Sequence, residues 1–345
     1  MAVKPKIIRT DAEIKTPRLD AALRRRGELV LLPGGISEER LARETRDADI
    51  LLMCYTPVPA RVINQAEQLK GIVKYGVGID AIDIEAARAR GVPVVNVPDY
   101  AQETVAEGAF ALMLALAKKL RSLQKAMDAQ GWVWPARDWL ACDLAGKTLG
   151  LVGFGAIARS MARMGGSGFR MHVLAYSPHT SARDMRAAGV EQCENLHEMM
   201  SRCDFVSIHA VLNDETRHLI DAPALAAMKP AAILVNTARG AIVDEAALVR
   251  ALQSGQIAGA ALDVFSREPL TITGHPMSAL FEMDNVILTP HLTFYTAGAM
   301  RRLEDDTLAR CIEILVGKPV LVKSSDPRLA SQTRGVVQAR VQDPE

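Results

Sequence analysis

Short apolar or β-branched runs alternate with longer segments of helical periodicity along almost the whole chain, and this alternation constrains the fold more than any other feature. A chain that reads strand, helix, strand, helix builds parallel sheets from βαβ units, because parallel neighbours need a crossover long enough to hold a helix. The fold class is α/β. Two series of strands can be read. The first passes through KIIRT, ELVLLP, DILLMC, GIVKYG and VPVVNV, with helical segments such as DIEAARARG between some of them, and makes one doubly wound domain. The second begins at Thr148 with TLGLVG and continues through MHVLAYS, CDFVSIH, AAILVNTA, GAALDVF and NVILTP. Those six strands complete a dinucleotide-type sheet.

Between the two series, QETVAEGAFALMLALAKKL places Thr104 and Glu107 in a TxxE capping box ahead of a long apolar helix that links the domains. The next segment, QGWVWPARDWLACDLAGKT, holds all three tryptophans, Trp132, Trp134 and Trp139, in irregular sequence. It reads as an anchored arm or a subunit contact rather than a free linker. After His291 a strong helical pattern over 297–315 returns to the first domain. The expected organisation is therefore 1–101 plus about 296–325 as one domain and 102–295 as the other. From Lys323 onward the sequence is polar with little periodicity, so 326–345 reads as a tail with partial disorder.

Composition removes several classes of function. At 345 residues and 49% hydrophobic content the chain can bury two cores of ordinary size, and a formal charge of +1 gives no global attraction to nucleic acid or anionic membrane. The apolar stretch 108–117 is closed by Lys118 and Lys119 and is too short to span a bilayer. Nothing at the N-terminus has the apolar core of an export signal. Cys54, Cys142, Cys193, Cys203 and Cys311 are odd in number, scattered and without CxxC spacing, which suits reduced thiols in the cytoplasm better than disulfides or a metal site.

Two glycine loops fit GxGxxA. GFGAIA, from Gly153 to Ala158, follows one strand and opens the helix AIARSMARM; its glycines, Gly153 and Gly155, permit a tight turn, and the helix N-terminus offers amide donors to a diphosphate. GVGIDA, from Gly76 to Ala81, also follows a strand. Neither has the usual ribose-binding acid about twenty residues on, where Asn96 and Ser177 stand instead. By motif the two tie. The Gly153 loop is preferred as the dinucleotide site because five further strands follow it. The exposed amides of Val77 and Gly78 are left for an anion such as a substrate carboxylate.

In open parallel sheets ligands bind beyond the carboxyl ends of the strands. There the second series delivers Arg239 after AAILVNTA, Glu268 after GAALDVF and His291 after NVILTP, with Asp263 inside a strand and His209 ending another. A cation, an acid and an imidazole on one rim suit hydride reduction of a carbonyl. Histidine can protonate the developing oxyanion, a carboxylate can hold the ring in one tautomer, and a guanidinium fork can grip a 2-oxo acid.

These residues, with the blocks KYGVGID, TVAEG, LVGFGAIA, SIHAVLNDETRHLI, MKPAAILVNTARGAIVDEAALVRAL, GAALDVFSREPL and NVILTPH, resemble the D-2-hydroxyacid dehydrogenase family over roughly 5–320. The resemblance implies a flavodoxin-like substrate domain and a Rossmann cofactor domain, with Arg239, Glu268 and His291 as the catalytic triad. It implies Val77 and Gly78 near the substrate carboxylate, with Tyr55 beside them in the substrate site. Around NAD(H) or NADP(H) it implies Thr104, Gly153, Gly155, Ala156, Ile157, Ser177, His209, Thr216, Thr237 and Ala238, with Asp263 near the nicotinamide. It further implies a homodimer joined through the cofactor domains.

Departures from the family pattern bear on specificity. Ser177 stands where NAD-preferring relatives carry Asp, which removes repulsion against a 2′-phosphate and leaves room for NADP(H). Gly108 replaces a common His, and the bulky LTFYT follows His291 where small glycine-rich sequence is usual, so that Phe294 and Tyr295 narrow the substrate entrance or reach a neighbouring element. No Arg stands near Cys54 and Tyr55, which argues against a phosphorylated substrate. The reading is interconversion of a small unphosphorylated 2-oxo acid and its D-2-hydroxy acid, with no nucleic acid, membrane or metal involved. The alternatives are a dinucleotide-sensing scaffold of corepressor type and formate or phosphite oxidation, the latter disfavoured because Glu268 is an acid where formate dehydrogenases use an amide.

Overall fold

The computed structural model describes residues 4–339 and divides the chain into two compact units, one running through Ala101 and resuming at Thr296, the other comprising Gln102–Tyr295. In the first unit, β1 (Lys6–Arg9), β2 (Glu28–Leu31), β3 (Ile50–Met53), β4 (Gly71–Lys74) and β5 (Val94–Asn96) form a sheet in the order β2-β1-β3-β4-β5, parallel throughout. This is the flavodoxin-like order, and its switch point lies between β1 and β3. Every residue of β3, β4 and β5 is buried, as expected of strands covered on both faces.

The second unit contains β6 (Thr148–Val152), β7 (His172–Tyr176), β8 (Glu191–Gln192), β9 (Phe205–Ile208), β10 (Ile233–Asn236), β11 (Gly259–Leu262) and β12 (Val286–Leu288). Their order is β12-β11-β10-β9-β6-β7-β8, again parallel, with the reversal of strand order between β6 and β9. This is the Rossmann arrangement. The sheet has seven strands where the sequence suggested six: the two-residue edge strand β8 is polar and too short to leave a hydrophobic period. Side chains alternate across the sheet, so Ile233 and Val235 join one core while Leu234 joins the other.

The structure refines three expectations. The helix Gln102–Ala117 begins before Thr104, which is buried in its first turn, so no capping box forms; Glu103 instead binds Ser160 and Arg163 at 2.6 Å each. Of the tryptophan segment, Trp132 and Trp134 are 64% and 77% exposed and meet each other edge-on at 6.2 Å, while Lys119 Nζ donates to Asp138 O at 2.7 Å and the Cys142 amide to Ala117 O at 2.8 Å, so the segment is tied to the chain but its first two indoles are not covered by it. The tail is ordered as far as the description extends. β13 (Val320–Val322) pairs in parallel with β14 (Val336–Gln338), and the short helix Pro327–Ala330 buries Leu329. The side chain of Gln332 accepts from Val94 N and donates to Val94 O, both at 2.8 Å, which closes the edge of the first sheet. One polar side chain can do this without any hydrophobic signal. The expected disorder of 340–345 lies outside the described residues.

The helix Ala297–Leu315 coincides with the pattern read from the sequence, and its buried stripe packs on the first unit's sheet, Ile314 lying against Gly71 of β4. Among the described residues no helix is long and apolar enough to cross a membrane, and no group of three His, Cys, Asp or Glu side chains could hold a metal ion.

Candidate active site

The carboxyl ends of β10, β11 and β12 carry the three residues on which the sequence reading centres. His291 Nδ1 lies 2.9 Å from Glu268 Oε2, and Glu268 Oε1 accepts from the Phe265 amide at 3.0 Å, so both carboxylate oxygens are engaged and the acid is held on its loop. Burial alone would raise the Glu268 carboxyl. The hydrogen bond and charge of His291, the Phe265 amide and the Arg239 guanidinium together outweigh burial and lower it. The Arg239 guanidinium is thus close enough to help hold the carboxyl down.

Local structure explains how three separate loops reach one place. The Asn236 amide at the end of β10 donates to Arg239 O at 2.9 Å while its oxygen accepts from Ala238 N at 3.0 Å, which clamps the Thr237–Ala238–Arg239 turn. Gly240 then passes so close to the following loop that an added Cβ would lie 2.0 Å from the Phe265 carbonyl carbon. Only glycine allows that approach. His291 takes a left-handed backbone conformation, φ 58°, in a loop tied down by Asp263. The Asp263 carboxylate is fully buried and accepts from Thr289 Oγ1 at 2.6 Å, Leu292 N and Thr293 N at 3.0 Å, and Thr293 Oγ1 at 2.7 Å. Expected beside the nicotinamide, this residue spends its acceptors on the loop that carries the histidine. Phe294 is buried with its ring perpendicular to the imidazole, centroids 6.5 Å apart, whereas Tyr295 is 44% exposed.

The glycine loop has the form of a diphosphate cradle. Gly153 has φ 88°, and a Cβ there would meet Ala210 N at 2.8 Å; a Cβ on Gly155 would meet nothing within 4 Å. The first glycine is needed for the turn, and the second faces open space. The helix Ala156–Arg163 that follows has Gly155 at its N-cap and no side-chain cap, in contrast to the Ser, Asp, Asn and Thr caps of many other helices in the chain. Amides at Ala156 and Ile157 thus remain for a ligand. A buried hydroxyl oxygen on Thr237 has no hydrogen-bond partner, a second mark of a site shaped for a bound group. The Gly76 loop differs. The next helix, Ile84–Ala89, starts later and is capped by Asp83, so the tie between the two motifs is broken by what each loop leads into.

The remaining residues fall into place unevenly. His209, at the end of β9, bonds Ser207 at 2.9 Å, and burial pushes its imidazole down to about 3, so it is neutral at ordinary pH. Thr216 donates to Val211 O at 2.6 Å within its own turn. Ser177 follows β7, with its hydroxyl 3.1 Å from that of Thr180. Thr104 is buried in the first turn of its helix. In the first unit, Tyr55 follows β3 and Val77 and Gly78 follow β4, Tyr55 being 38% and Val77 44% exposed. Asn236 and Gly240 were given no role in the sequence reading, although NTARG placed both beside Arg239.

A Rossmann sheet with an uncapped glycine loop and an Arg, Glu and His rim defines a nucleotide-dependent dehydrogenase. Residues 110–293 match the model of the D-isomer specific 2-hydroxyacid dehydrogenase NAD binding domain, and the chain belongs to that family. It is 39% identical over 277 residues to glyoxylate reductase of Pyrococcus furiosus, covering 78% of this chain and 80% of that protein. It is also 39% identical over 268 residues to D-3-phosphoglycerate dehydrogenase of Methanocaldococcus jannaschii, covering 77% of this chain but only 50% of that longer protein. Among solved structures, the NADPH-dependent glyoxylate/hydroxypyruvate reductase of Sinorhizobium meliloti in complex with NADP and malonate superposes with a TM-score of 0.81 at 26% identity, over 96% of this chain and 99% of that one. The cofactor is a nicotinamide dinucleotide.

Proposed function

We propose that the protein interconverts a small unphosphorylated 2-oxo acid and its D-2-hydroxy acid. The observation that carries this reading is the His291–Glu268 hydrogen bond at the carboxyl edge of the cofactor unit's sheet. The nicotinamide supplies the hydride in reduction and accepts it in oxidation. Negative charge then grows on the carbonyl oxygen, and a positioned imidazole donates the proton that quenches it. With Nδ1 bonded to Glu268, the ring exchanges that proton through Nε2, and the carboxylate stabilises the imidazolium. Arg239 holds the substrate carboxylate and polarises the carbonyl through its planar fork. On the first unit, the Val77 and Gly78 amides and Tyr55 contribute to substrate binding.

Two finer readings accompany this one. The loop after β7 has Ser177 where a carboxylate would repel a 2′-phosphate, and the exposed Arg183 follows within the same loop and helix, so the protein accepts NADP(H) as well as NAD(H). The exposed Trp132 and Trp134, whose rings meet edge-on, present an apolar surface on the cofactor unit that a second copy of the chain covers in a homodimer. The five cysteines are free, which fits a reducing, cytoplasmic setting.

The test is a panel of 2-oxo acids with NADH and NADPH in parallel, followed by nicotinamide absorbance, on the wild type and His291→Ala. The variant should lose about 10²- to 10⁴-fold in turnover and still bind the cofactor by fluorescence. Undiminished turnover would reject the mechanism.

A further inference from the structure

The loop between β11 and β12 carries Glu268 and has almost no core of its own. From Ser266 to Pro276 the chain forms neither helix nor strand, and the one buried residue in that stretch is His275, at 6% exposure. Its imidazole has no part in the chemistry of the Arg239, Glu268 and His291 rim. A buried polar ring in a surface loop is kept for the hydrogen bonds it makes.

Both ring nitrogens are engaged at 3.0 Å, Nδ1 with the Met277 amide and Nε2 with the Arg267 carbonyl. A backbone amide can only donate, so Nδ1 accepts, the ring proton sits on Nε2, and Nε2 donates to Arg267 O. The two partners lie at opposite ends of the loop. Met277 is 1% exposed and, with Leu280 of the short helix Ser278–Glu282, belongs to a core of the cofactor unit. The Arg267 carbonyl belongs to the peptide unit that leads directly into Glu268. The ring therefore ties the backbone at the acid to a fixed point of the core.

Other bonds complete this frame. The Glu245 carboxylate, from the helix Glu245–Gln253, accepts from the Ser266 amide at 2.6 Å and so pins the residue before Arg267. The Arg267 guanidinium donates to Gly274 O at 3.0 Å, and Ser278 Oγ accepts from the His275 amide at 3.1 Å while donating to Thr271 O at 3.0 Å. Both hydrogen bonds of the Glu268 carboxylate, from Phe265 N at 3.0 Å and with His291 Nδ1 at 2.9 Å, depend on where its backbone stands. A carboxylate on an exposed loop keeps two such partners only if that backbone is held.

We propose that His275 is a positioning residue for Glu268, acting through the Arg267 carbonyl to keep the acid in hydrogen-bond reach of His291. Its expected effect on rate rests on the reductase reading; its effect on the loop does not.

His275→Asn separates the two ring bonds. The asparagine oxygen stands about where Nδ1 does and can still accept from Met277, but nothing then reaches Arg267 O. For 2-oxo acid reduction kcat should fall about tenfold, the scale of a lost hydrogen bond and a carbonyl left unpaired. Cofactor affinity should be kept. His275→Gln, which carries an amide N–H out to the depth of Nε2, should recover most of the loss. In a Glu268→Ala background His275→Asn should cost less than about twofold, because the group it positions is gone. A full loss in that background, or an undiminished kcat in His275→Asn alone, would overturn the proposal. Should His275→Asn fail to fold, as circular dichroism would show, His275→Phe keeps a ring in place without either bond and is read by the same outcomes. Hydrogen exchange at the Phe265 amide, which Glu268 Oε1 covers, reads the contact without turnover. It should quicken about tenfold in His275→Asn and slow again in His275→Gln. Unchanged exchange would overturn the proposal whatever the activity. An inactive wild type whose Phe265 protection depends on His275 would reject the reductase reading alone.

Discussion

Replacing Glu268 by Gln removes the charge of the catalytic couple and little else. Glutamine keeps an oxygen that can accept from His291 Nδ1, so the 2.9 Å contact can persist while the negative charge is lost. A charge-assisted hydrogen bond is roughly twice as strong as a neutral one, which sets the loss at about 1–2 kcal/mol. The two side chains are 24% and 31% exposed, so solvent screens this interaction only in part. About 1.4 kcal/mol is a factor of ten in rate. In the reducing direction the imidazole gives its proton to the growing oxyanion, so kcat/KM should fall about tenfold while cofactor binding is kept. Steady-state rates and cofactor fluorescence measure this, and an undiminished kcat/KM would refute the electrostatic role of Glu268. Stability gives an independent reading. The Glu268 carboxyl is held below its ordinary value of about 4.5, so the unfolded chain takes up the proton first as pH falls. Its contribution is complete above that value and disappears as pH drops through the folded one. The melting temperature of the wild type should therefore fall faster below pH 4.5 than that of Glu268→Gln.

Gly240→Ala should cost at least about 1–3 kcal/mol, because its Cβ would overlap backbone at 2.0 Å, and kcat should fall even where the variant remains folded in thermal melts. Asp263→Asn turns one acceptor into a donor facing buried donors; kcat should drop with the KM for cofactor within about twofold, since a misfit of this kind costs about 1–3 kcal/mol in the loop carrying His291. A rise in cofactor KM with kcat intact would instead assign Asp263 to the nicotinamide. Ser177→Asp should shift the ratio of kcat/KM values toward NADH by at least about tenfold, measured with both cofactors, and an unchanged ratio would move ribose selectivity to another residue.

What could be read from the sequence follows from how far each signal travels. Strand identity was legible because a fully buried parallel strand such as Ile50–Met53 or Ile233–Asn236 leaves a continuous apolar run. Arg239, Glu268 and His291 were legible because strand ends in such sheets are where ligands bind, and each follows its strand closely. Long-range close approaches leave no such trace. Gly240 resembles any turn glycine until Phe265, 25 positions on, proves to lie against it. The capping box failed for a related reason: TxxE is a local pattern, but Glu103 and Thr104 answer to tertiary neighbours rather than to the helix end.

Two departures from the family pattern that look unrelated in the sequence meet in the structure. Gly108 stands where a histidine is common, and LTFYT stands where small residues usually follow the catalytic histidine. In the structure a Cβ on Gly108 would lie 2.9 Å from both Cβ and Cγ2 of Thr293. Bulk has moved from the helix to the loop. The gain on the loop side is specific, because Thr293 brings an amide and a hydroxyl to Asp263, and Phe294 brings an aromatic wall to His291. A larger side chain at 108 would therefore displace the loop that orients the imidazole, whereas shrinking Thr293 alone would open a cavity beside Gly108. The two positions are a single packing unit, and each is intelligible only with the other in place.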